Sequence, residues 1–320
     1  MSDFFMKFKE KLYVIWKYIK KPEKFICDLC DYDNHRFARF IPDKLHLKCL
    51  FKKYMDTKLN LSNPKTFSEK LQWLKLYDRK PEYTIMADKA AVKQYVADKI
   101  GPDFIIPTIG IYDSVKKIPF NKLPENYVIK CTHDSGSTFI FNKNKPLNIE
   151  ITKKELASRL NRNFFWFGRE WSYKNIKPQI IIEEFIPDEN GNCPVDYKFF
   201  CFDGKMEIFK IDYNRFTNRA ANYYDKNCKF LEIGKIHSTP DPSIKLELPD
   251  NFKEMVEITE KLSEGIPFLR VDLYSVNNHI YFGELTFYPS SGIEPFLGDG
   301  DIIMGNLLNL PKNNFEGENK

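Results

Sequence analysis

FLRVDLYSVNNHIYFGELTFYPSSG, residues 268–292, holds two runs of apolar alternation on either side of Asn277-Asn278, each carrying one acid, Asp272 and Glu284. Strand alternation splits the first run into a Val271/Leu273 face and an Arg270/Asp272/Tyr274 face, and the second into Gly283/Leu285/Phe287 and Phe282/Glu284/Thr286. One face reads as core and the other as a site. Register decides whether the acids meet. A two-residue turn at Asn277-Asn278 sets Asp272 opposite Gly283 and turns Glu284 away, because a one-residue slip inverts every side chain. A three-residue loop over Asn277 to His279, or a bulge at Gly283, brings the acids side by side. Two ionised carboxylates so placed repel, and a half-buried pair survives when a cation or a shared proton neutralises it. Hard oxygen ligands suit magnesium, the ion that accompanies nucleotide phosphates. Two surface acids on an edge hairpin is the competing reading.

With 320 residues, 42% hydrophobic and 15% aromatic, the chain can bury a sizeable core, as two lobes or as one large domain with an added N-terminal segment. Its formal charge of +5, spread over 49 basic and 44 acidic residues, is too balanced for a dedicated nucleic-acid binder, while acidic partners such as ATP or lipid headgroups stay compatible. Seven cysteines without a signal peptide point to reduced thiols in a cytoplasmic protein. No apolar run approaches the ~20 residues needed to span a bilayer. Cys27 and Cys30 with His35, His46 and Cys49 make an irregular zinc set lacking a second paired half, so structural thiols are the preferred reading. Residues 3–21 place Phe4, Phe8, Leu12, Ile15 and Ile19 on one helical stripe flanked by lysines. Such a helix suits peripheral contact with the inner face of an anionic membrane, or docking on the protein's own surface.

From Lys44 to Asp78 the pattern is helical, broken at Asn63-Pro64-Lys65-Thr66 and resumed with Ser68 as the cap of SEKLQWLKLYD. A second helix, DKAAVKQYVADKIG, starts near Asp88 and stops at Gly101-Pro102. The β-rich runs IIPTIGIYD and YVIKCT follow, then a helix over TKKELASRLNRNFFWF. Strands return in QIIIEEFI, DYKFFCFDGKMEIFKIDY and YYD, and an amphipathic helix over 251–264 precedes the hairpin. Helices mixed with mainly antiparallel strands make an α+β fold of two joined lobes.

No glycine-rich phosphate loop, dinucleotide fingerprint or metalloprotease motif is present, so a nucleotide would have to be held another way. Lys130 is the one cation in the apolar strand YVIKCT and stands before a small polar loop containing Ser135, Gly136 and Ser137. A lysine point charge beside a turn rich in backbone and hydroxyl donors suits a phosphate. QIIIEEFI is a buried strand that ends in Glu183-Glu184, where free backbone can read an adenine edge and an acid can accept ribose hydroxyls. Lys198 and Lys210 are further cations set in strands, and Arg215 and Arg219 follow on a loop. Arg270 shares a strand face with Asp272, where its guanidinium can hold a transferring phosphoryl group.

Taken in order, these features resemble the ATP-grasp superfamily. Within it the chain looks like the TupA-like group associated with teichuronopeptide and other cell-surface polysaccharide synthesis. The closer likeness rests on NPKTFSEKLQWLKLYDR, ADKAAVKQYVADKIG, YVIKCTHDSGS, IIIEEFI, DYKFFCFDGK and GELTFYPSSGIEP, over roughly residues 36 to 300. It implies two α+β lobes gripping ATP, a small lobe over 86–185 and a large lobe over 186–310, with an N-terminal helical region over 1–85 and a flexible tail over 311–320. ATP and Mg2+ are the implied cofactors. Lys89 and Lys130 match the lysines used on nucleotide phosphates, with Lys198 a further candidate. Glu183, Glu184, Phe185 and Ile186 match the adenine hinge, and Glu184 or Asp188 the ribose acceptor. Arg270, Asp272 and Glu284 match the family's Arg-x-Asp and magnesium-bridging Glu, with Thr286 where an Asn is customary. Ser290, Ser291 and Gly292 fall where related ligases place donors around the acyl group, and Arg215 and Arg219 join Arg270 as catalytic candidates. The implied activity is an ATP-dependent carboxylate–amine ligase working through an acylphosphate. Its implied substrates are an amine and a uronic acid or amino acid of a capsular or other surface glycan. The alternatives are a glycosyltransferase using Asp31-Tyr32-Asp33 or Asp299-Gly300-Asp301, an ATP-grasp kinase, and a nucleotide-binding protein without turnover.

Overall fold

The computed structural model describes residues 24–28, 37–143, 147–213 and 220–312. Its α-helices beyond residue 40 are α1 (Asp43–Met55), α2 (Phe67–Tyr77), α3 (Glu82–Ala87), α4 (Val92–Ile100), α5 (Ile149–Leu160), α6 (Phe165–Gly168), α7 (Phe252–Ser263) and α8 (Gly300–Leu307). The cap of α2 is Thr66 and not Ser68. Thr66 Oγ1 accepts from the Glu69 N–H at 3.2 Å, and Glu69 Oε2 accepts from the Thr66 N–H at 3.2 Å, a reciprocal capping box. Ser68 lies inside the first turn, where its N–H and hydroxyl both donate to Asp301 Oδ1 at 2.8 Å. Asp301 of Asp299-Gly300-Asp301 is therefore a clamp between α8 and α2. The helix expected over residues 152–167 is split in two, because Asn163 Oδ1 takes the Phe165 N–H at 3.0 Å and starts α6 afresh.

Strands β1 (Thr108–Tyr112), β2 (Tyr127–Cys131), β3 (Phe139–Phe141) and β4 (Ile180–Glu184) form a sheet in the order β1-β4-β2-β3, antiparallel throughout. Ile129, Cys131, Ile180 and Ile182 pack with Leu156 of α5 in a core of their own. Val128, Lys130, Ile181 and Glu183 share the opposite face, since Lys130 pairs with Ile181 and Val128 with Glu183.

Next come β5 (Asp196–Phe202), β6 (Lys205–Tyr213), β7 (Ala220–Asp225), β8 (Phe230–Leu231), β9 (Gly234–Lys235), β10 (Phe268–Val276), β11 (His279–Thr286) and β12 (Phe296–Leu297). Six of them make a second antiparallel sheet, β11-β10-β5-β6-β7-β8, while β12 pairs with β9 alone. Met255, Ile258 and Leu262 of α7 seal one face of the large sheet, and the Phe252 ring stands 5.7 Å from Phe199 and 4.9 Å from Phe209.

The β10–β11 hairpin turns through two residues, Asn277 and Asn278, both left-handed with φ of 51° and 61°, the twist that suits a tight hairpin. Leu273 pairs with Phe282 but Asp272 pairs with Glu284, so Gly283 is the extra residue of a bulge. Of the two routes that bring the acids together, the bulge is the one realised. It also corrects the faces: Phe282, grouped with Glu284 by strict alternation, pairs with Leu273 and is buried. A Cβ on Gly283 would lie 2.9 Å from the Asp272 carbonyl oxygen, so the bulge needs glycine for close approach.

Candidate active site

Cross-strand pairing aligns Glu284 on β11, Asp272 on β10, Lys198 on β5, Lys210 on β6 and Tyr223 on β7 in one row. Directly paired residues point the same way. Adjacent rows add Thr286, Arg270 and Phe200 on one side, and Tyr274, Asp196 and Asp212 on the other. Alternation thus collects the charges of four strands on the face opposite α7.

Arg270 spans the two acids, with Nε 2.6 Å from Asp272 Oδ1 and Nη2 2.7 Å from both Asp272 Oδ2 and Glu284 Oε1. Lys198 Nζ is 2.7 Å from Asp272 Oδ2, also contacts Asp196, and lies 3.8 Å from Asp212. Burial would raise the Asp272 carboxyl, but Arg270 and Lys198 outweigh it and hold it at about 2. Burial would likewise strip Lys198 of its proton, yet Asp196 and Asp272 leave its pKa raised. The Thr286 hydroxyl donates to Glu284 Oε1 at 3.3 Å.

Two cavities meet along this row. One of about 140 Å3 lies between the sheets and is lined by Lys89, Lys130, Glu184, Phe185, Ile186 and the Asp272/Glu284 pair. The other, about 670 Å3, is lined by Arg270, Thr286, Lys210, Tyr223, Lys235 and residues 288–296. Lys198 and Glu284 line both.

The small-cavity residues are not all disposed as their order in the chain suggests. Glu183 is buried and not part of an exposed hinge: its carboxylate lies 2.6 Å from Lys130 Nζ and 2.6 Å from Lys93 Nζ. Burial pushes that carboxyl up, but the two lysines bring it below the ordinary value. Sequence reading passed over Lys93, which also donates to the Ile106 carbonyl at 2.6 Å. Glu184 is exposed and its N–H goes to the Pro107 carbonyl at 3.0 Å, while it lines the small cavity together with Phe185 and Ile186. Asp188 is turned to its own loop, where Oδ1 accepts from the N–H groups of Asn190 at 2.9 Å and Asn192 at 2.7 Å. Lys89 Nζ donates to the Asp134 carbonyl, and burial lowers its pKa against the pull of Glu284 and Asp134. Ser137 is buried and builds the turn: its hydroxyl accepts from the Cys131 N–H at 2.9 Å and donates to Asp134. Gly136 is left-handed at φ +76°, Ser135 lines the larger cavity, and Thr138 lines the smaller one.

Ser290, Ser291 and Gly292 form three successive left-handed residues, at φ 49°, 52° and 59°. The turn is held from beneath by α2. Gln72 Nε2 donates to the carbonyls of Ser291 at 3.1 Å and Gly292 at 2.9 Å, and Lys75 Nζ lies 2.7 Å from the Ser291 carbonyl and 2.9 Å from its hydroxyl. Burial lowers Lys75 to about 7 against the attraction of Glu170, whose own pKa burial raises. Ser291 therefore anchors the turn, whereas Ser290 faces the cavity and donates to Glu294 Oε2 at 2.5 Å. A signal for this support exists in the sequence, because Ser68, Gln72 and Lys75 form a polar stripe at i, i+4 and i+7 beside the apolar Phe67, Leu71 and Leu74.

Arg215 and Arg219 lie outside the described residues, as do residues 3–21, Cys30, Asp31 to Asp33 and His35. Among the described residues no three His, Cys, Asp or Glu side chains converge as ligands, and His46 Nε2 is 2.7 Å from the Phe167 carbonyl oxygen. No helix of the described residues is long and apolar enough to cross a membrane.

Two antiparallel sheets that close on a lysine-lined cleft, with a carboxylate pair on the larger one, define an ATP-grasp fold. The chain belongs to the TupA-like ATP-grasp family, whose model matches residues 69–309. No curated protein matches it. Among solved structures it is similar to a D-alanine–D-alanine ligase from Bacillus anthracis complexed with ATP, at 18% identity and TM-score 0.35 over 63% of this chain and 54% of that one. A RimK domain ATP-grasp protein from Sphaerobacter thermophilus matches at 10% identity and TM-score 0.37, covering 71% and 69% of the respective chains. A phosphoribosylamine–glycine ligase from Thermotoga maritima matches at 14% identity and TM-score 0.39, covering 66% and 51%. The chain spans just over half the length of the first and third of these.

Proposed function

We propose that the protein is an ATP-dependent ligase that joins a carboxylate to an amine through an acylphosphate. The observation that carries this reading is the Glu284–Asp272–Lys198 row with Arg270 beside it, standing where the small and large cavities meet. In this reading ATP occupies the cleft that runs from the small cavity toward the large one, with adenine against Phe185 and Ile186, ribose at Glu184 and phosphates at Lys89, Lys130 and Lys198. Asp272 and Glu284 offer hard oxygens from adjacent strands, which Arg270 and Lys198 hold here, and these two acids, with the Thr286 hydroxyl beside Glu284, would hold magnesium. When bound, that ion screens the phosphate charge that the lysines share.

The substrate carboxylate enters the large cavity, where Arg270 and the 290–292 turn orient it. Its oxygen attacks the γ-phosphorus, the bond to the β-bridging oxygen breaks, and ADP leaves. The amine then attacks the acyl carbon, inorganic phosphate departs, and the amine nitrogen gives up its proton. Catalysis of this kind is positioning and electrostatics, which matches a site of paired charges. The acid we favour is a uronic acid or amino acid of a capsular or other cell-surface polysaccharide, a reading that rests on the family resemblance. With it goes a cytoplasmic location, with residues 3–21 as a peripheral membrane contact.

Hydroxylamine tests the chemistry. The protein with ATP, magnesium, a uronic or amino acid and hydroxylamine is expected to release ADP and a hydroxamate. Turnover of a sugar nucleotide without ADP, or a stable phosphorylated alcohol in place of the hydroxamate, would overturn the ligase reading.

A further inference from the structure

The row on the large sheet does not stop at the ATP side. Beyond Lys198 it continues to Lys210 and Tyr223, and Lys235 of β9 lines the same large cavity. Among the described residues both lysines are short of acceptors. There Lys210 has one carboxylate contact, Asp212 Oδ1 at 3.0 Å, and that acid also faces Lys198 at 3.8 Å. Lys235 donates to the Glu294 carbonyl and sits over the Phe296 ring at 3.2 Å from its centre. Glu294 and Asp301 attract Lys235 without an ion-pair contact, their carboxylates taking the Ser290 and Ser68 hydroxyls. An ammonium has three donors, so each lysine keeps hydrogen-bonding capacity toward the cavity. Burial lowers both to about 8, and Lys210 adds to the effect on Lys235, so like charges are gathered there at a cost.

We infer that Lys210 and Lys235 form a second anion site that holds a phosphate group on the carboxylate substrate, which on the uronic-acid reading is a phosphorylated sugar acid. The inference rests on the large cavity being the acid-substrate site. Two point charges from separate strands suit a phosphate, which accepts from several directions, better than a carboxylate, which a guanidinium fork matches. Two strand spacings, roughly 10 Å, separate the strand of Arg270 from that of Lys210, enough for a pyranose ring between the two anions. Tyr223, Tyr288 and Phe296 supply flat walls for that ring.

The test compares glucuronic acid 1-phosphate, glucuronic acid and inorganic phosphate by calorimetric titration of the full chain without ATP. The phosphorylated acid is expected to bind at least about ten-fold tighter than glucuronic acid. Lys210→Met and the half-buried Lys235→Gln are each expected to remove that margin, with circular dichroism unchanged. Equal affinity for the two acids, or a margin that survives both substitutions, overturns the site. A failed ligase reading leaves phosphate-dependent binding intact but gives no hydroxamate. A failed anion site leaves hydroxamate forming from both acids at the same KM.

Discussion

Glu183→Gln separates a buried counter-ion from a nucleotide contact. In the wild type its carboxylate sits 2.6 Å from each of two ammonium groups, Lys93 and Lys130, whose side chains are only 15% and 14% exposed. A glutamine keeps the shape and one acceptor but removes the charge. Loss of one partner from a buried ion pair typically costs about 3–5 kcal/mol, because the remaining charge is left desolvated. A lysine can limit that cost by releasing its proton. From the ordinary value of 10.5 down to a pH of 7.5 this costs about 4 kcal/mol per lysine. We expect Glu183→Gln to lose about 3 kcal/mol in urea denaturation at pH 7.5. The deficit should shrink toward pH 9.5. A lysine whose folded pKa is depressed binds fewer protons than the unfolded chain, so stability rises with pH up to the unfolded value. Glu183→Gln combined with Lys93→Met should recover part of the loss. A deficit under about 1 kcal/mol, or one that stays constant to pH 9.5, refutes the counter-ion role.

Gly283→Ala puts a Cβ 2.9 Å from the Asp272 carbonyl oxygen and 3.1 Å from the Tyr274 ring, and is expected to cost about 1–3 kcal/mol by thermal or urea unfolding. ADP release in the hydroxylamine assay should fall with it, since the bulge alone keeps Glu284 on the site face; unchanged turnover would sink that argument. Asp272 has a folded pKa of about 2 against an ordinary 3.8, so its contribution is complete above pH 4 and is lost as pH falls through 2. That amounts to about 2 kcal/mol, and the acid limb of a stability–pH curve should be shallower in Asp272→Asn. Glu284→Gln should reduce hydroxamate formation by roughly 100-fold or more while leaving the melting temperature within a few degrees, and near-normal turnover would remove Glu284 from the site.

By itself the sequence determined the periodic and the local. Alternation around Asn277-Asn278 placed the hairpin, and the isoleucine run placed the buried strand β4. The lone cations Lys130, Lys198 and Lys210 marked strand faces, because a charge in an apolar run has to face a partner or a cleft. Only the tertiary structure decided which partner each charge has. Glu183 reads as the end of a strand, yet Lys93 reaches it from α4, ninety residues earlier, and no periodicity links the two. Ser291 reads as a donor to substrate, but Lys75 and Gln72 rise from α2 to hold it from beneath. The meeting of Asp272 and Glu284 turned on one bulged residue, set by how closely the backbone at Gly283 approaches Asp272 and by the burial of Phe282. Sequence spacing fixes the face a side chain shares with its strand neighbours. Pairing register and long-range packing fix what it touches.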